Sequence, residues 1–542
     1  MAELFGLMQD SALTVDRFLD HGATWHGDRE IVSREADGSI TRTDYRRLHH
    51  TARQVSDALL AAGVAPGERV ATLGWNGARH MAAWYGTTNI GAVLHTLNPR
   101  LFPEQIAWIA AHAGDRLLLA DPACAALAAR LVRDVPSIER VVFLCDRAAL
   151  PATDYPAVAF DDWIAPHAGS AAWGGFDERL ACGLCYTSGT TGDPKGVLYS
   201  HRSNYLHTMM ALQADALALT QRDTVLLVVP MYHANAWGVV YAAPAAGAKL
   251  VLPGARMDGE SLYELIEAEG VTFSAAVPTV WQGLLHYLRG TGRAFSTLHR
   301  VVIGGAAPPP ALIRAFQDDY GVEVVQGWGM TETSPLATLS TPTAEALAQP
   351  YEEQVRRKAM QGRLQVGLDF RLVDDAGQPL PHDGRTAGRL LIRGATITSG
   401  YFRDDTPVLD ADGFFDTGDV ATIDAAGYMH ITDRAKDIVK SGGEWISSIE
   451  IENIASGHPA VAIAAVIGVA HPKWDERPIL LVQPAPGQIP DKADLLAWLG
   501  GKIARWWIPD DVLVVDAIPL GATGKIDKKL LRRQFADYRL PE

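Results

Sequence analysis

The chain alternates short, almost continuously apolar runs with stretches whose apolar residues recur at helical spacing. Residues 69–74 (RVATLG), 141–145 (VVFLC), 225–230 (VLLVVP), 249–253 (KLVLP), 271–277 (VTFSAAV) and 300–305 (RVVIGG) read as buried strands, as does the run LLLAD. Helices are predicted near 80–89, at 103–112 with a proline at the start, and at 259–269, 279–289 and 310–320. Apolar strands separated by helices imply parallel sheets covered on both faces, with ligands bound in the loops at the carboxyl ends of the strands. After about residue 435 the texture changes. A charged, then glycine-rich segment (DRAKDIVKSGG, 433–443) leads into a small α/β pattern of VAIAAVIGV, ILLVQP, a helix at 492–502 and VLVVD. The expected fold class is therefore α/β. A large N-terminal domain of parallel α/β sheets (1–433) precedes a small mobile C-terminal α/β lid (434–542).

Composition narrows the classes. Apolar residues make up 48% of 542 and charged residues 20%, the balance of a folded globular protein. The 48 basic and 63 acidic residues leave a net charge of −15, which argues against a nucleic-acid or anionic-membrane binder. Four cysteines make no disulfide framework, and the acidic start is unlike a signal peptide, so a cytoplasmic setting is expected. Residues 224–248 carry no Asp, Glu, Lys or Arg, but Pro230, Gly238, Pro244 and Gly247 interrupt them. They read as a buried strand, a loop and a helix, with no integral membrane segment. Cys182 and Cys185 form a CxxC without a second pair inside an apolar strand, and read as packing residues.

The segment 186–197 (YTSGTTGDPKGV) carries the strongest chemical signal. Thr187, Ser188, Gly189, Thr190 and Thr191 form a flexible loop of hydroxyls and backbone donors able to wrap phosphate oxygens, and Lys195 adds a point charge. It is not a Walker A loop, because Gly196 stands where Ser or Thr would follow the lysine.

This string resembles the signature loop of the adenylate-forming superfamily, which includes acyl-CoA synthetases, luciferase and nonribosomal peptide synthetase adenylation domains. Further motifs follow in the family's order: GGAAP (304–308), GWGMTE (327–332), DTGD (416–419), the hinge segment 433–443 and LGATGKIDK (520–528). The strings SGGEWISSIEIE, HPKWDERP and WWIPDDV are similar to those of fatty acyl-CoA synthetases and 3-methylmercaptopropionate–CoA ligases.

The resemblance implies that an acid is activated by ATP as an acyl-adenylate and passed to coenzyme A. It implies that Lys525 bridges the carboxylate and α-phosphate, that Thr331 contacts that phosphate, and that Thr187 and Glu332 hold Mg²⁺. Gly305, Ala306, Ala307, Gly327, Trp328 and Gly329 would line the nucleotide, and Asp419 with Arg434 would hold the ribose. Lys436 would be the hinge, and Lys440, Gly442, Gly443 and Trp445 would serve CoA. His233 matches an aromatic gate, and with Trp237 and Gly304 it would line the acid pocket. Uncharged Ala234 and Asn235 beside it suggest an acid without an amine, and Trp237, by shortening the pocket, favours a short or medium chain, thioether or small aromatic acid. No carrier-protein domain follows residue 542, which favours CoA as acceptor. The alternatives are loading of an acyl carrier protein and, from another class, a non-catalytic nucleotide-binding sensor. The family's common habit implies a homodimer.

Overall fold

The computed structural model describes residues 4, 6–187, 193–434, 436–442, 444–521 and 525–540, with the side chains of Glu444 and Trp445 outside the description. Two large sheets dominate. In the seven-stranded sheet, strands Ala157–Ala159, Arg140–Phe143, Leu117–Ala120, Arg69–Leu73, Val93–Leu97 and Ala181–Tyr186 run parallel, and Gly196–Ser200 closes one edge antiparallel. The nine-stranded sheet is parallel from Glu323–Gly329 through Arg300–Ile303, Phe273–Ala276, Thr224–Leu226 and Lys249–Leu252 to Glu30–Arg34. Its edges are antiparallel.

Helices Tyr45–Ala61, Ala78–Thr88 and Val239–Ala246 lie between these sheets, sharing one core with Val70, Leu94 and Leu119 of one and Val225, Leu250 and Val302 of the other. This explains why 80–88 is buried all round and shows little amphipathicity: both its sides face a sheet. Gly259–Glu269 and Pro278–Thr291 cover the outer face of the nine-stranded sheet, and Pro103–Ala113 and Ala125–Asp134 that of the other. The expected covering of both faces is therefore present.

The sequence reading placed no strand between residues 320 and 433. The structure puts there a four-stranded antiparallel sheet, Leu368–Val373, Gly388–Gly394, Phe415–Ile423 and Met429–Arg434. A separate sheet of Glu444–Ile446, Val439–Ser441, Asp475–Pro484, Val461–His471 and Asp511–Val514 follows.

Two predicted elements differ in extent. The strand expected to reach Pro230 ends at Leu226, because the Asn76 side chain replaces the ladder: its amide donates to the Leu227 and Val229 carbonyls (2.7 and 2.9 Å) and accepts from Met231 N–H (2.7 Å). The chain thus peels off the sheet just before His233. The helix expected over 310–320 is α-helical at Pro310–Arg314 and continues as a π turn at Ala315–Asp319. Among the described residues no helix is long and apolar enough to cross a membrane, and 224–248 is a strand, loop and helix.

Beneath the strand that delivers Thr187, His95 and Asp115 form a wholly buried hydrogen-bonded pair at 2.8 Å. Removing one partner of such a pair leaves the other unsatisfied, so Asp115→Ala is expected to cost about 3–5 kcal/mol. Its denaturation midpoint should fall well below that of the unmodified protein; an unchanged midpoint would contradict this reading.

Candidate active site

The strand Ala181–Tyr186 delivers Thr187, and the strand Gly196–Ser200 begins just after Lys195. Thr187 N–H donates to the Lys195 carbonyl (2.9 Å), and Lys195 N–H donates to Thr187 Oγ1 (3.3 Å), pinching the base of the hydroxyl loop. Ser188, Gly189, Thr190 and Thr191 lie outside the described residues. The Lys195 ammonium stands 4.6 Å from the Tyr401 ring centroid, and the Tyr401 hydroxyl donates to Glu332 Oε1 (2.9 Å). Thr398 N–H donates to the Glu332 carbonyl (2.8 Å), and the Tyr199 hydroxyl donates to the Thr331 carbonyl (2.7 Å). Thr331 and Glu332 are both buried, and burial raises the Glu332 pKa above the usual carboxylate range. Sequence reasoning missed Tyr401, Thr398 and Tyr199. The only trace of the first two was the turn-like string TSGY (398–401) after an apolar strand.

Two neighbouring parallel strands, Arg300–Ile303 and Glu323–Gly329, bring glycines side by side at their carboxyl ends, Gly304 following one and Gly327 and Gly329 closing the other. A Cβ on Gly304 would stand 2.8 Å from Cη2 of Trp237 and 3.1 Å from the Gly327 carbonyl, so a side chain there would collide with the indole. Gly305 has φ +81°, and a Cβ on it would meet Cε of Lys525 at 3.6 Å. Ala306 is exposed and Ala307 half-buried beyond it. Trp328 turns its indole N–H onto Asp419 Oδ2 (3.0 Å), so this aromatic holds the carboxylate. Asp419 is 1% exposed and faces Arg434 across the antiparallel ladder. Its Oδ1 lies 2.7 Å from the Arg434 guanidinium, yet no aligned hydrogen bond satisfies that oxygen. Burial raises the Asp419 pKa, against the pull of Arg434.

Lys525 comes from the far end of the chain into this cluster. Its side chain still touches solvent, but the protein around the cleft together with Arg434 pushes its pKa down to about 8, with Asp419 and Glu332 opposing. His233 lies close enough to feel Lys525, and burial foremost pushes its pKa down to about 4, so its ring is uncharged at neutral pH. Residues Ala234, Asn235, Ala236 and Trp237 then adopt φ of 42°, 56°, 49° and 53°, a left-handed turn that sequence periodicity could not reveal. That turn carries Trp237 onto Gly304, and aims the Asn235 amide away at Asn204 Oδ1 (3.0 Å). Burial and the neighbouring Arg434 lower the pKa of Lys436.

Two of the residues expected to serve CoA, Lys440 and Gly442, make contacts with residues 474–506. Lys440 is exposed on the hairpin of Val439–Ser441 and Glu444–Ile446, and its N–H donates to Glu476 Oε2 (3.0 Å). Gly442 packs on Trp474, whose carbonyl accepts its N–H (2.8 Å), and Trp474 meets Trp506 edge to face at 4.8 Å. The strings HPKWDERP and WWIPDDV thus meet under this hairpin, joined by buried Arg477, which donates to Ser441 Oγ (3.2 Å) and Asp510 (2.6 Å). Gly443 and the Trp445 side chain lie outside the described residues. Cys182 and Cys185 are free and buried, consistent with packing. Among the described residues no group of three or more His, Cys, Asp or Glu could hold a metal ion.

Comparison with known proteins agrees with this geometry. A family model described as AMP-binding enzyme matches residues 19–402, and one for the AMP-binding enzyme C-terminal domain matches 450–525. The chain is 48% identical to the 3-methylmercaptopropionyl-CoA ligase of Ruegeria pomeroyi, over 98% of this chain and 99% of that protein. It is 44% identical to a medium-chain-fatty-acid–CoA ligase of Ectopseudomonas oleovorans, over 99% and 98%. Among solved structures, the anthranilate CoA ligase AuaEII in complex with anthranoyl-AMP superposes with a TM-score of 0.85 at 25% identity, covering 96% of this chain and 97% of that one. The match over most of the length, together with the gathered motifs, shows that the chain belongs to the AMP-binding enzyme family.

Proposed function

We propose that the protein is an ATP-dependent acid–CoA ligase. The carboxylate of an acid attacks the α-phosphorus of ATP and pyrophosphate leaves; the CoA thiol then attacks the carbonyl carbon of the acyl-adenylate and AMP leaves. The observation that carries this reading is the meeting of Lys525, Arg434, Asp419 and Glu332 beside Gly305, from segments far apart in sequence. Two anions must approach in the first step, and a lysine aimed at the glycine edge supplies the cation that step needs. The unsatisfied Oδ1 of buried Asp419 fits a ribose hydroxyl. Thr187 and Glu332 offer hard oxygen donors, one of them a carboxylate, and suit Mg²⁺ shared with the phosphates, where it would neutralise developing charge. We read residues 1–433 and 434–542 as domains that rotate about Lys436, replacing the Lys525 face by the Lys440 hairpin for thioester formation.

The acid pocket is the space by His233, Gly304 and Trp237. The neutral imidazole and the indole over Gly304 favour an unaminated acid of short or medium length, as do relatives named for 3-methylmercaptopropionyl-CoA and medium-chain fatty acids. Pyrophosphate release should be seen with ATP and one member of a panel from propionate to palmitate that includes 3-methylmercaptopropionate and cinnamic acids. Acyl-CoA should then form on adding CoA. No release with any acid would sink the ligase reading, and release without CoA acylation would favour a carrier-protein acceptor.

Trp237→Ala should lengthen the pocket. The ratio of kcat/KM for octanoate over propionate is expected to rise about tenfold, since each buried methylene contributes about 0.8 kcal/mol. A ratio that stays put would remove Trp237 from the pocket wall.

A further inference from the structure

The strand Met429–Arg434 carries near its end a carboxylate, Asp433, with no solvent exposure. Its Oδ2 accepts both the backbone N–H and the hydroxyl of Ser448, each at 2.6 Å. Ser448 opens the helix Ser448–Ala455. Lys528, the first residue of the helix Lys528–Gln534, donates from Nζ to Ser448 Oγ (2.5 Å) and lies 2.7 Å from Glu452 Oε1. The hydroxyl thus donates once and accepts once, and the buried ammonium stands with a carboxylate partner. Glu452 Oε1 also accepts Val466 N–H (2.7 Å). Buried charges persist only when paired and hydrogen-bonded in this way.

Two features of its placement tie this cluster to one half-reaction. Asp433 precedes Lys436 in the chain, whereas Ser448 and Lys528 follow it. Rotation about Lys436 would therefore carry Ser448, together with the Lys528 ammonium bonded to its hydroxyl, off the Asp433 carboxylate, so the two Ser448–Asp433 bonds exist in one arrangement only. Lys528 also lies three residues past Lys525, at the foot of a tied loop. Gly521 N–H donates to the Lys525 carbonyl (2.7 Å) and Asp527 N–H to the Pro519 carbonyl (2.9 Å). Anchoring Lys528 therefore anchors the turn that presents Lys525 beside Gly305. Interactions made in one conformer and absent from another shift the population toward the first.

We propose that Asp433, Ser448 and Lys528 are positioning residues for adenylation, holding the arrangement in which Lys525 addresses the nucleotide and parting for thioester formation. The Lys528–Glu452 pair lies wholly within the lid and moves with it. This inference rests on the two-step reading above.

The test separates the half-reactions in the full-length protein. Single-turnover pyrophosphate release is measured with ATP and whichever of octanoate and 3-methylmercaptopropionate the unmodified protein adenylates. The second step is measured as conversion of the matching supplied acyl-adenylate by CoA. Ser448→Ala and Asp433→Asn are expected to slow pyrophosphate release about tenfold, the scale of a hydrogen bond to a charged group. Acyl-adenylate conversion should stay unchanged or quicken, with the KM for CoA unmoved, and Lys528→Arg should keep more adenylation than Lys528→Met. Equal loss in both steps, or undiminished pyrophosphate release, would overturn the proposal. Ser448→Ala deletes a single hydroxyl and keeps the test open where Asp433→Asn fails to fold. Lys525→Ala is run alongside: intact adenylation there overturns the site reading itself, whereas a dead Lys525→Ala beside a fully active Ser448→Ala overturns only the positioning cluster.

Discussion

Lys525→Ala is expected to lose adenylation by about 10²–10³-fold, the scale for removing one preorganised group that meets charge developing in a transition state. The loss should appear in pyrophosphate release, while conversion of supplied acyl-adenylate by CoA continues. The ammonium acts only while charged, and its pKa is pushed down to about 8 in the ligand-free site. The sign follows directly. Below that pH the cation is present and adenylation is on a plateau; above it the neutral amine accumulates, and kcat/KM for ATP falls about tenfold per pH unit. A free lysine in the ordinary range would keep the plateau beyond pH 10. Loss of both half-reactions in Lys525→Ala, or a flat profile through pH 9, would contradict the assignment.

The second large effect is expected at Asp419. This carboxylate does three things at once: it accepts the Trp328 indole N–H, pairs with Arg434, and opposes the depression of the Lys525 pKa. Asp419→Ala removes a buried acceptor and leaves the Arg434 charge beside Lys525 unopposed. We expect kcat/KM for ATP to fall about 100-fold, from lost hydrogen bonds to a charged group and the orphaned donors left behind. The alkaline limb of the residual activity should also move to lower pH, because a cation has lost a neighbouring anion. Asp419→Asn keeps an acceptor for Trp328 and deletes the charge, so it should show the same shift of the limb with a smaller loss. A variant that weakens ATP use and leaves the limb in place would show that Asp419 does not act on Lys525.

The chemistry was legible in sequence where residue type and order suffice. The hydroxyl loop before Lys195 announces itself by composition, whereas the glycines 304, 305, 327 and 329, the acidic turn at 416–419 and the lysine at 525 are picked out by the resemblance of their motifs to a known family. The alternation of apolar strands and helices likewise announced covered parallel sheets. The sheet spanning Leu368–Arg434 escaped, because Phe415–Ile423 ends in five consecutive buried residues and alternation is interrupted by bulges between Arg389 and Leu391 and between Val420 and Ala421. The extent of the 224–226 strand escaped as well. Its end is set by the amide of Asn76, roughly 150 residues earlier in the chain.

By itself the sequence determined which candidate groups the protein can bring to bear, namely a hydroxyl loop before Lys195, glycine-rich turns, Asp419 and Lys525, on an α/β frame to hold them; the roles proposed for them rest on the resemblance. Local spacing and composition carry that information because each motif is a short contiguous device. Only the tertiary structure decided how the groups act on one another. It set Trp237 on Gly304 through a left-handed turn, lent Tyr401 to both Lys195 and Glu332, and lowered the Lys525 pKa by desolvating it beside Arg434, with Asp419 and Glu332 opposing. It also buried Asp433 against Ser448 and Lys528 across the hinge. The physical reason is common to all four. Desolvation, packing and charge pairing depend on which atoms share a few ångströms of space, and residues separated by tens to hundreds of positions come that close only once the chain has folded.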